Sequence, residues 1–330
     1  LKALCIGELT VDWLSLEHGE SMMSARQFYR YLGGNASNVA VGLSRLKLRS
    51  AVISSVGQDI HGEYLLKGLK DEGVDTSFVK LDPEQPTAQC YMTRREDGFP
   101  DYYSWPSPNA SKNLRPEDID NRCFDDAWIL HGAGVSFIAK PRRYAMEHAV
   151  NEACRRQIII SFDACFPLVE SEGGRQTAFA AMKKSDILKF NLAELIYWSG
   201  MSADSSIEEM LQAINKECKP ALLAVTLAEK GAILFCKNES VFCPPYIVKS
   251  LGDVGPGDAF SAGLIYGLSK LSPSGMKRDS LYELGLQDWL GISRYASCAG
   301  AMVTRSYSAT ESFPGVDELE LALGKTTPGS

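Results

Sequence analysis

The chain has 330 residues, 45% hydrophobic and 23% charged, proportions that fit a soluble globular protein with one large α/β domain and an appendage. With 41 acidic against 34 basic residues the net charge is −7, and the signs are interspersed, which excludes the basic face of a nucleic-acid binder. No apolar run approaches the roughly 20 residues of a membrane helix, so neither nucleic acid nor membrane is an expected partner.

In chain order, the opening LKALCIGEL reads as a strand; Glu8 interrupts the apolar run too early for the core of a leader. Residues 35–46 predict a helix after a glycine turn, 50–56 a second strand and 62–72 a helix. Short Val-, Ile- and Leu-rich runs at 127–130, 158–162, 186–190 and 222–226 predict buried parallel strands, with helical patterns such as 143–156 and 206–217 following them. This alternation predicts a three-layer α/β/α domain spanning 1–330, its sheet mostly parallel and covered by helices on both faces. Ligands of such sheets bind beyond the carboxyl ends of the strands.

Two stretches break the alternation. Residues 11–31 and 87–105 carry alternating or aromatic residues without a helix, and the second reads as two strands joined around Asp97-Gly98. They predict a small β-sheet lid on the main domain; an edge hairpin with no part in binding is the plainer reading. Lid strands with unpaired edges also predict a homodimer in which two lids pair. The nine cysteines stand singly and form no CxxC pair, which predicts reduced core thiols in a cytoplasmic protein. Four histidines, never within four residues of one another, give little support to a zinc site.

The strongest local signal is Gly255-Pro256-Gly257-Asp258, which opens the helical pattern AFSAGLIYGLSKL. A helix N-terminus presents free N–H groups and the positive end of the dipole, the elements of an anion site. A transferring phosphoryl group needs just such stabilisation, and Asp258 could accept the proton of an attacking hydroxyl. The alternative is that Asp258 only caps the helix. A second glycine turn, Gly33-Gly34, precedes a helix whose Asn38 offers donor and acceptor to hydroxyls; a turn with a capping Asn is equally readable. Asp12, after the first strand, either holds a polyol or serves a turn. Asn191 and Glu194 share a face of a helix start, a pattern of a magnesium site or of a capping box.

With these segments in hand, the chain resembles the PfkB, or ribokinase-like, carbohydrate kinase family. The likeness rests on GGNASNVAVGLSRL with SSVGQDIHGEYLLKGLKDEGVDTSFV, then ILKFNLAEL, VTLAEKGAILF, GPGDAFSAGLIYGL and ASCAGAMVTRSYSATESFP, in the family's order. The resemblance implies a ribokinase-like fold, ATP and Mg²⁺ as cofactors, and a sugar as the acceptor. It implies Asp258 as base in an anion hole with Gly255 and Gly257, and Asp12, Gly33, Gly34, Asn38 and Tyr102 around the sugar. Lys189, Asn191, Thr226, Ala228, Gly231, Gly257 and Ser297 fall to the nucleotide site, Asn191 and Glu194 to magnesium, and Asp253 to a monovalent cation such as K⁺.

Several positions depart from the family pattern. Pro256 has no N–H to give, Gly252 stands where an Asp is usual, and Ala228 replaces a common glycine. The Asp-Pro-Asn-x-Arg pattern is reduced to Asp163-Ala164-Cys165-Phe166-Pro167. Without that arginine a fructokinase is favoured over a kinase of 5-dehydro-2-deoxygluconate or another sugar acid. The departures also leave open a catalytically weak relative that binds sugar or serves assembly. Tyr102, Tyr103 and Trp105 would suit a nucleoside's flat base or mere lid packing.

Overall fold

The computed structural model describes residues 2–96, 100–104, 108–165 and 173–324. Its strands are β1 (Lys2–Ile6), β2 (Thr10–His18), β3 (Phe28–Gly33), β4 (Arg49–Gly57), β5 (Val79–Asp82), β6 (Gln89–Arg94) and β7 (Pro100–Ser104). There follow β8 (Ala127–Ala133), β9 (Ile159–Asp163), β10 (Ile187–Asn191), β11 (Leu222–Thr226), β12 (Ala232–Cys236) and β13 (Glu239–Cys243). Nine of them form one sheet in the order β13-β12-β11-β10-β9-β8-β1-β4-β5, and β2, β3, β6 and β7 form a second, β3-β2-β6-β7.

In the large sheet every pairing from β11 to β5 is parallel. All five residues of β1 are buried, as a strand covered on both faces requires. Alternate residues feed two cores. Ala3 and Cys5 pack with the helices Asn35–Arg45, Pro256–Leu271 and Leu286–Val303, while Leu4 and Ile6 pack with Arg142–Arg155, Gly174–Met182 and Ile207–Cys218. Fully burying a side chain the size of Leu4 or Ile6 contributes about 1.5–3 kcal/mol. The helices of the first face approach closely because a Cβ on Gly263 would lie 2.7 Å from Ala296 Cα, a space only glycine leaves open.

Chain order runs outward in opposite directions from β1 and β8, toward β5 on one side and β13 on the other. That reversal is a topological switch point, and the crevice beyond the strand ends there is where open α/β sheets hold ligands. Glu8 follows β1, Asp163 ends β9 and Asn191 ends β10, so the chain delivers three polar groups to one rim.

The helix and strand expectations hold to within a few residues. The 232–243 segment departs from the plain alternation: β12 and β13 make an antiparallel hairpin on the sheet edge. Its two-residue turn places Lys237 and Asn238 at φ of 51° and 64°, a left-handed pair usually signalled by glycine and unmarked here. The lid sheet is as expected, with its boundary starting at Thr10 and reaching Gly33. β2 runs parallel to β6, and β6 antiparallel to β7. The Asp97-Gly98 turn, Trp105, and Phe166 with Pro167 lie outside the described residues. Among the described residues no helix is long and apolar enough to cross a membrane.

Candidate active site

The helix Pro256–Leu271 begins at Gly255, whose φ of 81° is left-handed. A side chain there would also collide, its Cβ 2.4 Å from Ala309 Cβ. Pro256 takes the first helical position, where its fixed φ is favourable and an N–H would have no intrahelical partner. The next two N–H groups, of Gly257 and Asp258, remain as the helix's open donors. Proline therefore removes one donor from this terminus and leaves its geometry intact.

Asp258 is not the cap. Its Oδ2 instead accepts a 2.7 Å hydrogen bond from Asn38 Nδ2, on the helix Asn35–Arg45. Burial pushes the Asp258 carboxyl up to about 7, with the negative charges of Asp163 and Asp12 adding and the Asn38 bond and Lys189 opposing. Asn38 Oδ1 is buried without a partner among the described residues, an acceptor left to a bound molecule.

A cavity of about 250 Å³ opens between Asp258 and the lid. Asp12, Gly34, Asn38, Gly255 and Tyr102, all candidates from the sequence, line it together. Gly33 does not; its missing Cβ gives room to the Asp12 carboxylate, whose atoms would lie 2.0 Å from one. Gly34, with φ of 93°, passes so close to Glu8 that a Cβ would sit 2.3 Å from the Glu8 carbonyl oxygen. Asp12 accepts from Thr10 Oγ1 at 2.7 Å, and burial, with Glu8 nearby, pushes its carboxyl up to about 7. Sequence reasoning missed Glu8, Thr10, Asn109, Ser111, Lys112 and Arg142, which line the same space. Glu8 reads as the end of the first strand and Arg142 stands just before the helical pattern 143–156, with nothing local to mark either for a pocket. Arg142 in particular lies 130 residues from Asp12 in the chain and is brought in by tertiary packing.

Lys189, on β10, is buried beneath the same helix terminus. Its Nζ donates to Asp163 Oδ2 at 2.8 Å, and a Cβ on Gly257 would lie only 2.7 Å from it. The Asp163 charge, with that of Glu194, outweighs burial and raises the lysine, so it remains an ammonium. Asn191 and Glu194 form a capping box: Asn191 Oδ1 accepts from Glu194 N at 2.8 Å and Glu194 Oε2 from Asn191 N at 2.6 Å. Both readings of that pair therefore bear on one geometry, with one amide oxygen and one carboxylate oxygen already engaged.

Thr226 ends β11 and donates to Phe190 O. In the following turn Ala228 has φ of 53° and Gly231 φ of 103°. A Cβ on Gly231 would strike Cys243 O at 2.5 Å, and Cys243 Sγ lies 3.4 Å from Ser297 Oγ, so these candidates converge on one surface. That surface adjoins the 255–258 turn, since a Cβ on Gly300, one helical turn from Ser297, would lie 3.1 Å from Pro256 O. At Gly252 the chain packs against Ser306 O, with 2.8 Å to where a Cβ would be, and the neighbouring Asp253 is exposed. Among the described residues no cluster of three or more His, Cys, Asp or Glu side chains could hold a metal alone.

A buried carboxylate raised to about 7, a helix terminus with open N–H groups and a polar pocket beside the smaller sheet suit transfer of a phosphoryl group to an alcohol. Residues 1–315 match the pfkB family carbohydrate kinases, and the chain belongs to that family; it is a carbohydrate kinase. It is 28% identical to a probable fructokinase-4 of Arabidopsis thaliana over 320 residues, 96% of this chain and 95% of that one. An uncharacterized sugar kinase from Pyrococcus horikoshii, solved with ATP, shares 30% identity over 96% of both chains with a TM-score of 0.81. A double-mutant fructokinase from Vibrio cholerae O395, solved with fructose, ADP and potassium ion, shares 27% over 98% of both, with a TM-score of 0.84.

Proposed function

We propose that this kinase transfers the γ-phosphoryl group of ATP to a hydroxyl of a small neutral sugar, as a fructokinase does. The observation that carries the reading is Asp258, held at 2.7 Å by Asn38 between the cavity and the open N–H groups of the helix terminus. Asp258 takes the proton of the acceptor hydroxyl as that oxygen bonds to the γ-phosphorus and the bond to the β-γ bridging oxygen breaks, leaving ADP. The N–H groups of Gly257 and Asp258, with the Lys189 ammonium beside them, meet the charge of the transferring group. Asp12 and Asn38 accept and donate to the sugar's other hydroxyls. Thr226, the turn through Ala228 and Gly231, and Ser297 form the floor for the nucleotide.

A magnesium ion bound with ATP would neutralise phosphate charge. Because each of Asn191 and Glu194 has one oxygen committed to the capping box, the pair fits contacts to the ion's water shell rather than a full ligand set. None of the nine cysteines is paired, which supports a reducing, cytoplasmic setting. Tyr29 and Tyr103 stand exposed on the lid strands, which supports two lids pairing in a homodimer. Sedimentation at micromolar concentration should give the dimer mass; a monomer would end that part of the reading.

The test of function is ADP release with ATP and Mg²⁺ over fructose, ribose, 5-dehydro-2-deoxygluconate and a nucleoside, wild type beside Asp258→Asn. Fructose-dependent turnover falling at least ~100-fold in the variant supports the proposal, as expected for loss of a general base. Turnover untouched by the substitution removes Asp258 from the mechanism.

A further inference from the structure

The cavity that Asp258 lines contains a feature that phosphoryl transfer does not use. Arg142, first residue of the helix Arg142–Arg155, is 1% exposed although it borders the sugar cavity. Its guanidinium is almost fully committed. Nε donates to Ser136 O at 3.0 Å, one terminal nitrogen donates to Ser111 Oγ at 3.0 Å, and the other donates to Val135 O at 3.2 Å and lies 2.8 Å from Glu8 Oε1 in an ion pair. Such a residue has little left to offer a ligand. It is built to hold Glu8, whose side chain keeps 21% of its surface open and whose second carboxylate oxygen meets no hydrogen-bond donor among the described residues.

The backbone of Glu8 is also held in place. Its N–H lies 3.4 Å from Asn35 Oδ1, and its carbonyl presses on the glycine turn at Gly34. Resting on the sugar-kinase reading, we propose that Glu8 is a second hydroxyl acceptor that sets which sugar the pocket takes, with Arg142 as its positioning residue. The substrate class follows from charge. Glu8, Asp12 and Asp258 present three carboxylates to the cavity; Arg142 is spent on one of them, and Lys112 is the other cation on the wall. Hydroxyl groups satisfy such acceptors, whereas a substrate carboxylate would face like charge. The pocket therefore takes a neutral polyol in preference to a sugar acid, for a reason independent of the arginine absent from the 163–167 segment.

The experiment compares wild type, Glu8→Gln and Arg142→Lys by calorimetric binding of fructose and of its 1-, 3-, 4- and 6-deoxy forms, with turnover on fructose and 5-dehydro-2-deoxygluconate measured in parallel. Losing a charged acceptor should weaken fructose binding about 10- to 100-fold. One deoxy sugar, lacking the hydroxyl that Glu8 reads, should bind wild type and Glu8→Gln equally. The fructose-to-acid ratio of kcat/KM should fall in Glu8→Gln, and Arg142→Lys should raise KM for fructose while leaving KM for ATP unchanged. Should Glu8→Gln fail to fold, Glu8→Asp, which keeps the charge one methylene further back, gives the same readout. Equal losses across all the deoxy sugars would make Glu8 structural and overturn the proposal, as would unchanged fructose affinity. Wild type that neither binds nor phosphorylates fructose defeats the sugar reading itself; wild type that does both, with an indifferent Glu8→Gln, defeats only this inference.

Discussion

Gly257→Ala separates the chemistry proposed for the helix terminus from the stability of the fold. Gly257 sits in the first turn of the helix Pro256–Leu271 with no left-handed φ, so alanine fits the backbone and favours the helix by about 0.5–1 kcal/mol. Its methyl group would lie 2.7 Å from Lys189 Nζ, and ordinary contact begins near 3.4 Å, so the ammonium must withdraw by about 0.7 Å. The neighbour is the end of a flexible side chain, and it can move while keeping its pair with Asp163. What is lost is the ammonium's position against the helix terminus. One displaced donor to developing charge costs about 10²–10³ in kcat when it is removed entirely, so a partial displacement should cost about 10- to 100-fold. That is about 1.4–2.7 kcal/mol of barrier. The assay is ADP release at saturating fructose and ATP, beside a calorimetric melt. A melting temperature within a few degrees of wild type, with kcat down by that factor, is the expected pair of results. A kcat within twofold of wild type would refute the placing of Lys189 at the phosphoryl site.

The pH dependence should follow Asp258 and Asp12, both pushed up to about 7 by burial. The base works ionised, so kcat/KM should climb through pH 7 to a plateau; a profile flat from pH 5.5 to 8 would contradict it. The stability of the ligand-free protein should run the other way. Each carboxyl holds a proton in the folded state that the unfolded chain releases near pH 4, so this stabilisation is present below about pH 4 and lost as pH passes 7. Asp258→Asn should therefore melt with a shallower decline between pH 5 and 8, as differential scanning would show. Ala228→Gly should relieve a left-handed alanine at φ of 53°, a strain of about 1–2 kcal/mol offset by glycine's added unfolded-state entropy. The net expectation is a melting temperature equal to or above wild type, and a clear drop would show that Ala228 packs to advantage.

The sequence by itself determined the periodic and local features. Alternating buried runs and amphipathic helices suffice for a parallel sheet covered on both faces, because burial on two sides demands continuous apolar strands. Gly255 and Gly34 were readable as turn residues, and the structure supplies the reason in left-handed φ and sub-contact distances to Ala309 and Glu8. Asp258 and Asn38 stood out because each follows such a turn, and Asp12 because it follows the first strand. Whether Asp258 caps its helix or faces a pocket was not decidable locally. A cap and a site carboxylate have the same sequence neighbours, and the difference is Asn38, 220 residues away in the chain. Asn191 and Glu194 were legible as a capping box or a metal pair for the same reason, and the fold shows the box. Only tertiary structure brought Arg142 to Glu8 and Lys189 under Gly257. Ion pairs between distant segments leave no periodic trace, since either partner alone reads as an ordinary charged residue at a helix start or strand end. Their partners are chosen by the topology of the sheet, which sets the ends of β1, β9 and β10 on one rim.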